Sequence, residues 1–150
     1  MVIGILGYGV VGRGVYKIAS KNNIKVKRIL ERNISDPILQ TNSIEDIVDD
    51  PEIDTVVECL GGDDVPFKYC AKALRSGKNV VTSNKKMLVK YLKEINDLAL
   101  ENNVSLLYSS ACGGGIPVLH EINRIVDIDK IVSVAGIMNG TSNYILDQMY

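Results

Sequence analysis

A chain of 150 residues, 46% hydrophobic and 23% charged, with 13 Gly and 4 Pro, has the composition of a globular domain and excludes disordered, collagenous and disulfide-framed architectures. A formal net charge of −1 gives no overall attraction for nucleic acid, and no apolar run approaches the roughly 20 residues that span a bilayer. Three cysteines without metal spacing (Cys59, Cys70, Cys112) read as reduced thiols, and the opening Met1–Gly7 lacks the basic region and long apolar core of a signal peptide, so a cytoplasmic protein is expected.

Val2-Ile3-Gly4-Ile5-Leu6 is too short for a helix and apolar nearly throughout, as a strand buried on both faces is. Val11, Val15, Ile18 and Ala19 then recur at helical spacing. Ile24 to Leu30 reads as a second strand, and Ser43-Ile-Glu-Asp as a capping box opening a short helix. Thr55 to Leu60 is a third strand ended by Gly61-Gly62. Asp64 is the expected N-cap of the next helix, Pro66 lies in its first turn and Gly77 follows its C-terminus. Asn79 to Thr82 is a fourth strand, and Met87 to Ala99 carries an unbroken helical stripe closed by Asn102-Asn103. Val104 to Tyr108 is a fifth strand, followed by a Gly113-Gly114-Gly115 loop. A helix from about Ile116 to Val126, a strand from about Lys130 to Met138 and a helix from Ser142 onward complete the pattern.

Repeated β-α alternation with short connections predicts a parallel, doubly wound α/β sheet with helices on both faces. The texture changes in the last forty or so residues, and the chain stops at Tyr150 in a helical pattern. The expectation is a first domain over residues 1–130 and the start of a second, truncated one over 131–150.

Gly7-Tyr8-Gly9-Val10-Val11-Gly12 is a GxGxxG sequence lying directly between a strand pattern and a helix pattern, the context that makes it informative. Gly7 permits a tight turn, Gly9 lets the backbone approach a pyrophosphate, and Gly12 lets the helix pack close to the strand. The helix start at Val10 and Val11 offers free N–H groups to phosphate. An acidic residue about 20 positions on is expected to hold the adenosine ribose, and Glu31 fills that place, with Arg32 beside it. A carboxylate there favours NAD; a guanidinium pairs with the 2′-phosphate of NADP. Neighbours on a strand point to opposite sides, so only one is expected to face the cofactor. The local basic set of Lys27, Arg28 and Arg32 inclines the reading to NADP, with NAD left open.

Asp54-Thr-Val-Val-Glu-Cys-Leu-Gly-Gly62, Gly77-Lys-Asn-Val-Val-Thr-Ser-Asn-Lys85 and Gly136-Ile-Met-Asn-Gly-Thr-Ser-Asn-Tyr-Ile-Leu146 together resemble the homoserine dehydrogenase signature, and the likeness runs from residue 2 to the C-terminus. The resemblance implies a Rossmann domain followed by a catalytic and dimerisation domain. It also implies reversible NAD(P)-dependent interconversion of L-homoserine and L-aspartate 4-semialdehyde, on the route to threonine and methionine, by a homodimer acting on a small molecule, without nucleic acid or membrane.

Residue by residue, the resemblance makes Arg32 the 2′-phosphate ligand, sets Leu60 and Gly61 beside the cofactor ribose, and sets Ser83 and Lys85 near the nicotinamide. Lys85 lies at the carboxyl end of a strand, where doubly wound folds bind ligands, and is the candidate orienting catalytic group. Gly140 and Thr141 are implied to meet the substrate. The resemblance further implies a sodium ion held by carbonyls of Cys112, Gly114 and Ile116, weakened because Ser109 stands where the family has a glutamate. Cys112 has no histidine close in sequence and is not read as a nucleophile; His120, the single histidine, is read as structural. The family's proton-transferring Asp and Lys are implied to follow residue 150, so the 150-residue chain is expected to bind dinucleotide without turnover. Two other readings stay open: a sibling reductase such as an aspartate dehydrogenase or dihydrodipicolinate reductase, against which the Asn139–Leu146 segment speaks, and a nucleotide-sensing module with no chemistry of its own.

Overall fold

The computed structural model describes residues 1–32, 39–136 and 140–150. They form two compact units, Met1–Tyr108 and Ser109–Tyr150. In the first, chain order is β1 (Val2–Leu6), α1 (Val10–Lys21), β2 (Lys25–Leu30), β3 (Gln40–Thr41), α2 (Glu45–Val48), β4 (Thr55–Glu58), α3 (Asp64–Arg75), β5 (Asn79–Thr82), α4 (Lys85–Glu101) and β6 (Leu106–Leu107). The second holds α5 (Ser109–Cys112), α6 (Val118–Val126) and α7 (Gly140–Met149). No helix among the described residues is long and apolar enough to cross a membrane.

The six strands form one parallel sheet in the order β3-β2-β1-β4-β5-β6, the doubly wound arrangement expected from the alternation. Strand order reverses at β1. The chain steps outward from β1 to β2 and β3, then returns to β4 on β1's other side. Ile3 and Ile5 of β1 pack with Ala19 of α1 and Ile29 of β2, with Val15, Val26 and Val57 against them. On the opposite face, Ile47 Cγ2 lies 2.5 Å from where a Cβ on Gly4 would stand, so the small residue admits α2 to the sheet.

The β1–β2 register shifts between Ile3 and Gly4, which pair with Val26 and Arg28 and leave Lys27 as the extra residue of a bulge. The bulge explains a spacing that strict alternation does not: Val26 and Ile29, three apart, both reach the core under α1. Lys27 instead meets Asp50 at 2.7 Å and Glu52 at 3.2 Å.

Several boundaries differ from expectation. The expected cap Asp64 is the first residue of α3, and Asp63 is the cap, its carboxylate accepting from the Asp64 N–H at 3.1 Å. The expected capping box does not form: the N-cap of the short helix is Ile44, without a side-chain cap, Ser43 one residue earlier accepts from the Glu45 N–H at 3.2 Å, and the Asp46 carboxylate takes the Thr41 hydroxyl. Gly77, at φ +73°, and Asn103, at φ +53°, supply the left-handed residues that end α3 and α4. β3 was not expected, because two residues leave no periodicity to read. The strand expected from Lys130 does not form over 131–136; apolar alternation gives extended propensity, but a strand needs a neighbour to pair with, and none among the described residues does so. Its last two residues, Ile137 and Met138, and the Asn139 of the expected turn lie outside the described residues. The first compact unit ends at Tyr108, close to where the texture of the sequence changes and upstream of the expected domain boundary at residue 130.

A Cβ on Gly12 would stand 2.1 Å from the Gly7 carbonyl oxygen, whereas one on Gly9 meets nothing within 4 Å. Gly12→Ala is therefore expected to force α1 off β1 and to destabilise the chain by about 1–3 kcal/mol, while Gly9→Ala, at φ −70°, stays within about 0.5 kcal/mol of wild type. Urea unfolding of the two variants checks this.

Candidate functional site

All the loops leaving the carboxyl ends of β1, β2, β4 and β5 emerge on one edge of the sheet, at the point where strand order reverses. The β1–α1 turn needs its glycines for stated reasons. Gly7 has φ +91°, and its missing Cβ would lie 3.0 Å from the Cys59 carbonyl oxygen; Gly12 touches the turn as described. Gly9 is the exposed N-cap of α1 and supplies no capping side chain. The N–H groups of Val10, Val11 and Gly12 consequently have no intrahelical acceptor, and the open space at Gly9 lets a ligand reach them. This turn is an anion cradle made of backbone.

Beside it lies a cleft of about 540 Å³ lined by Leu30, Glu31, Arg32, Thr41, Asn42, Leu60, Val65 and Tyr69. Three residues singled out in the sequence (Glu31, Arg32 and Leu60) meet here. Both Glu31 and Arg32 line the cleft, correcting the expectation that only one faces it: the chain has left β2 by residue 31, and strand alternation no longer governs the side chains. Their roles differ. The Glu31 carboxylate accepts from the Tyr8 N–H of the glycine turn at 3.2 Å and from the Arg32 N–H at 2.8 Å. Arg32 contributes its carbonyl to Gln40 Nε2 at 2.6 Å, while its guanidinium makes no recorded ion pair among the described residues. Thr41, Asn42, Val65 and Tyr69 escaped the sequence reading. They come from segments with no motif, and only the fold brings them together.

At the next strand end, Glu58 is wholly buried, at 0% exposure. It accepts from the Leu60 N–H at 2.7 Å, the Thr82 hydroxyl and Asn84 Nδ2 at 3.4 Å. Burial raises its pKa above the usual 4.5, opposed in part by these hydrogen bonds. Asn84 caps α4 through Oδ1, which accepts from the Met87 N–H at 3.0 Å, and its Nδ2 reaches the carbonyls of Leu60 at 3.3 Å and Gly62 at 3.0 Å. A carboxylate in a strand otherwise apolar was the signal in the sequence for this group, and it went unread. Lys85 is the exposed first residue of α4, its N–H bonded to the Ser83 carbonyl at 3.1 Å. Gly61 is exposed on the turn after Leu60.

The cysteines are poor nucleophile candidates. Burial, with the Glu58 charge adding to it, pushes the Cys59 thiol up to about 12 and raises Cys70 as well. In the second unit, Gly140 and Thr141 open α7 and are exposed. Cys112, Gly114 and Ile116 are exposed too; the Ile116 carbonyl already accepts from the Val118 N–H at 2.8 Å, and Ser109 supplies its own carbonyl to the Gly113 N–H at 3.1 Å. No three His, Cys, Asp or Glu side chains gather as for a metal among the described residues. His120 lies exposed on α6.

A doubly wound sheet carrying a glycine turn at an open helix start, with an acidic residue and a cleft beside it, defines a Rossmann-type dinucleotide-binding domain. The family model described as "Homoserine dehydrogenase, NAD binding domain" matches residues 7–109, and the model described as "Homoserine dehydrogenase" matches 117–150. The chain belongs to the homoserine dehydrogenase family. It is 35% identical to the homoserine dehydrogenase of Bacillus subtilis over 98% of its own length and 38% of that protein's. Against the crystal structure of a homoserine dehydrogenase from Thiobacillus denitrificans it superposes with TM-score 0.90 at 35% identity, covering 99% of this chain and 38% of that one. A hyperthermophilic archaeal homoserine dehydrogenase solved in complex with NADPH superposes at TM-score 0.68 and 25% identity, over 79% of this chain and 46% of that one. The chain thus spans about 38% of the length of the curated relative it matches in Bacillus subtilis.

The raised pKa of Glu58 carries a sign. A proton held more tightly in the folded than in the unfolded state contributes stability in full below the usual 4.5, and that contribution is lost as pH rises through the folded value. Glu58→Gln, which cannot ionise, should therefore gain stability relative to wild type as pH climbs from about 4.5 to about 7. Urea unfolding of both proteins across that range tests it; a pH-independent difference would show that burial does not set this group's proton affinity.

Proposed function

We propose that the chain is the dinucleotide-binding part of an NADP-preferring oxidoreductase of homoserine and aspartate 4-semialdehyde. The observation that carries this reading is the open backbone cradle at Gly7–Gly12 next to a cleft whose mouth holds the Arg32 guanidinium, which makes no recorded ion pair among the described residues. The pyrophosphate would lie on the N–H groups of Val10, Val11 and Gly12, close to Gly9, where a Cβ would intrude. The adenosine half would occupy the cleft, with Arg32 pairing with the 2′-phosphate and Leu60 and Gly61 against the ribose. Glu31 spends one oxygen on the glycine turn and the other on its neighbour's N–H, which leaves Arg32 as the freer polar group at the cleft mouth.

The bound nicotinamide supplies hydride transfer. This chain's residues bind and orient it: Ser83 and Lys85, at the end of β5, would face the nicotinamide, with the Lys85 ammonium orienting the ring amide or the substrate. Gly140 and Thr141 would offer a helix-start N–H and a hydroxyl to the small amino-acid substrate. Residues 131–150 would begin the substrate and dimerisation domain, and proton transfer would fall to the family's Asp and Lys beyond residue 150. A sodium ion would rest on the carbonyls of Cys112, Gly114 and Ile116 without a carboxylate, and weakly.

Calorimetric titration of NADPH and NADH into the 150-residue chain tests the reading. NADPH is expected to bind more tightly, and Arg32→Ala to lower NADPH affinity by about tenfold or more while changing NADH affinity by less than about twofold. Equal losses for both, or none, would defeat the assignment of Arg32. Semialdehyde reduction by the isolated chain is expected to be undetectable, and turnover at ordinary enzyme rates would refute the placing of the proton-transfer groups.

A further inference from the structure

The buried carboxylate of Glu58 is expensive. Among the described residues no cation is paired with it, so its charge is balanced only by hydrogen bonds from Leu60, Thr82 and Asn84. A side chain held that way at the end of a strand, under two turns of a candidate site, has a role to explain.

The network has a direction. Leu60 and Gly62 belong to the turn after β4, which lines the cleft on its Leu60 side. Thr82 ends β5, Asn84 lies in the turn after it and Lys85 opens α4. Besides the β4–β5 ladder and the exposed ion pairs of Asp63 with Lys86 and Lys90 of α4, at 3.8 and 3.7 Å, the recorded hydrogen bonds linking these two turns among the described residues all involve Glu58 or Asn84. The Thr82 oxygen accepts from the Asn84 N–H at 3.0 Å, which turns its own hydrogen toward Glu58. Leu60, Thr82 and Asn84 thus all present donors to one side chain, and only an acceptor-only group satisfies the three together. A glutamine would aim an NH2 at one of those donors. The tie also restrains Gly61-Gly62, which has little conformational preference of its own and includes a residue at φ +89°.

We propose that Glu58 is a positioning residue that locks the β4–α3 turn to the β5–α4 turn, so that the adenosine and nicotinamide halves of a dinucleotide meet one rigid site and not two independent ones. This rests on the functional reading above. Its consequence is specific: a ligand that spans both turns gains from their being prealigned, and a ligand that touches one turn does not.

The test titrates NADPH and 2′,5′-ADP, which carries only the adenosine half, into the 150-residue chain as wild type, Glu58→Gln and Asn84→Ser. Serine keeps a hydroxyl to cap α4 but cannot reach across to Leu60 and Gly62. Each variant is expected to bind NADPH about tenfold more weakly and 2′,5′-ADP within about twofold of wild type. Circular dichroism establishes that each variant is folded, and if Glu58→Gln is not, Asn84→Ser decides alone. Losses in equal proportion for the two ligands, or no loss of NADPH affinity in a folded variant, overturn the proposal while leaving dinucleotide binding intact. Failure of the wild-type chain to bind NADPH or 2′,5′-ADP overturns the functional reading, and this inference with it.

Discussion

The close approach of α1 to the end of β1 is the constraint from which the site follows. Gly12 sits so near the Gly7 carbonyl that a single added carbon would collide with it, and Gly7 in turn lies against the Cys59 backbone just past the end of β4. Three elements therefore meet through backbone alone. That contact puts the first turn of α1 at the sheet edge with its N–H groups facing outward, and an uncapped helix start there gathers partial positive charge without any basic side chain. Polar backbone left open in this way is suited to an anion with several oxygens.

The same edge is organised a second time, by side chains. Glu31 reaches back from β2 to the Tyr8 N–H and so steadies the glycine turn from one side, while Glu58 and Asn84 gather the turns after β4 and β5 from the other. Both carboxylates accept backbone N–H groups, and neither has a cation partner recorded among the described residues. Carboxylates used so add local order where glycines have removed it. The reversal of strand order between β2 and β4 is what opens a crevice for them to frame, because successive turns lead away from each other there.

Most of this sheet was legible from residue pattern. Val2–Leu6 and Asn79–Thr82 form strands over the residues their patterns mark, and the stripe from Met87 to Ala99 lies inside α4. Long apolar periods and left-handed glycines carry their own physics and need no partner to be recognised. Gln40–Thr41 was invisible because two residues make no period, and 131–136 misled because alternation reports propensity and not pairing. At the site, the glycine turn and the Glu31–Arg32 pair were readable from spacing. Which of the pair would face the cleft was not, since alternation stops where the strand does. Thr41, Asn42, Val65 and Tyr69 were unreadable for a different reason: a cleft wall is assembled from four separate segments, and no one of them carries the signal.

Under the proposed function, cofactor choice and fold would be held largely by different atoms. Glu31 is woven into the structure by both oxygens, so changing it disturbs the glycine turn as well as the cleft. Among the described residues Arg32 bonds to the fold through its backbone, its carbonyl to Gln40 and its N–H to Glu31, and nearly any residue type supplies these equally. On the proposed reading, the Arg32 guanidinium, without a recorded ion pair among the described residues, would answer to the ligand. A doubly wound domain built like this could, on that reading, exchange its discriminating side chain without rebuilding the glycine turn, because the general part of recognition would be carried by backbone and the particular part by one exposed side chain next to it.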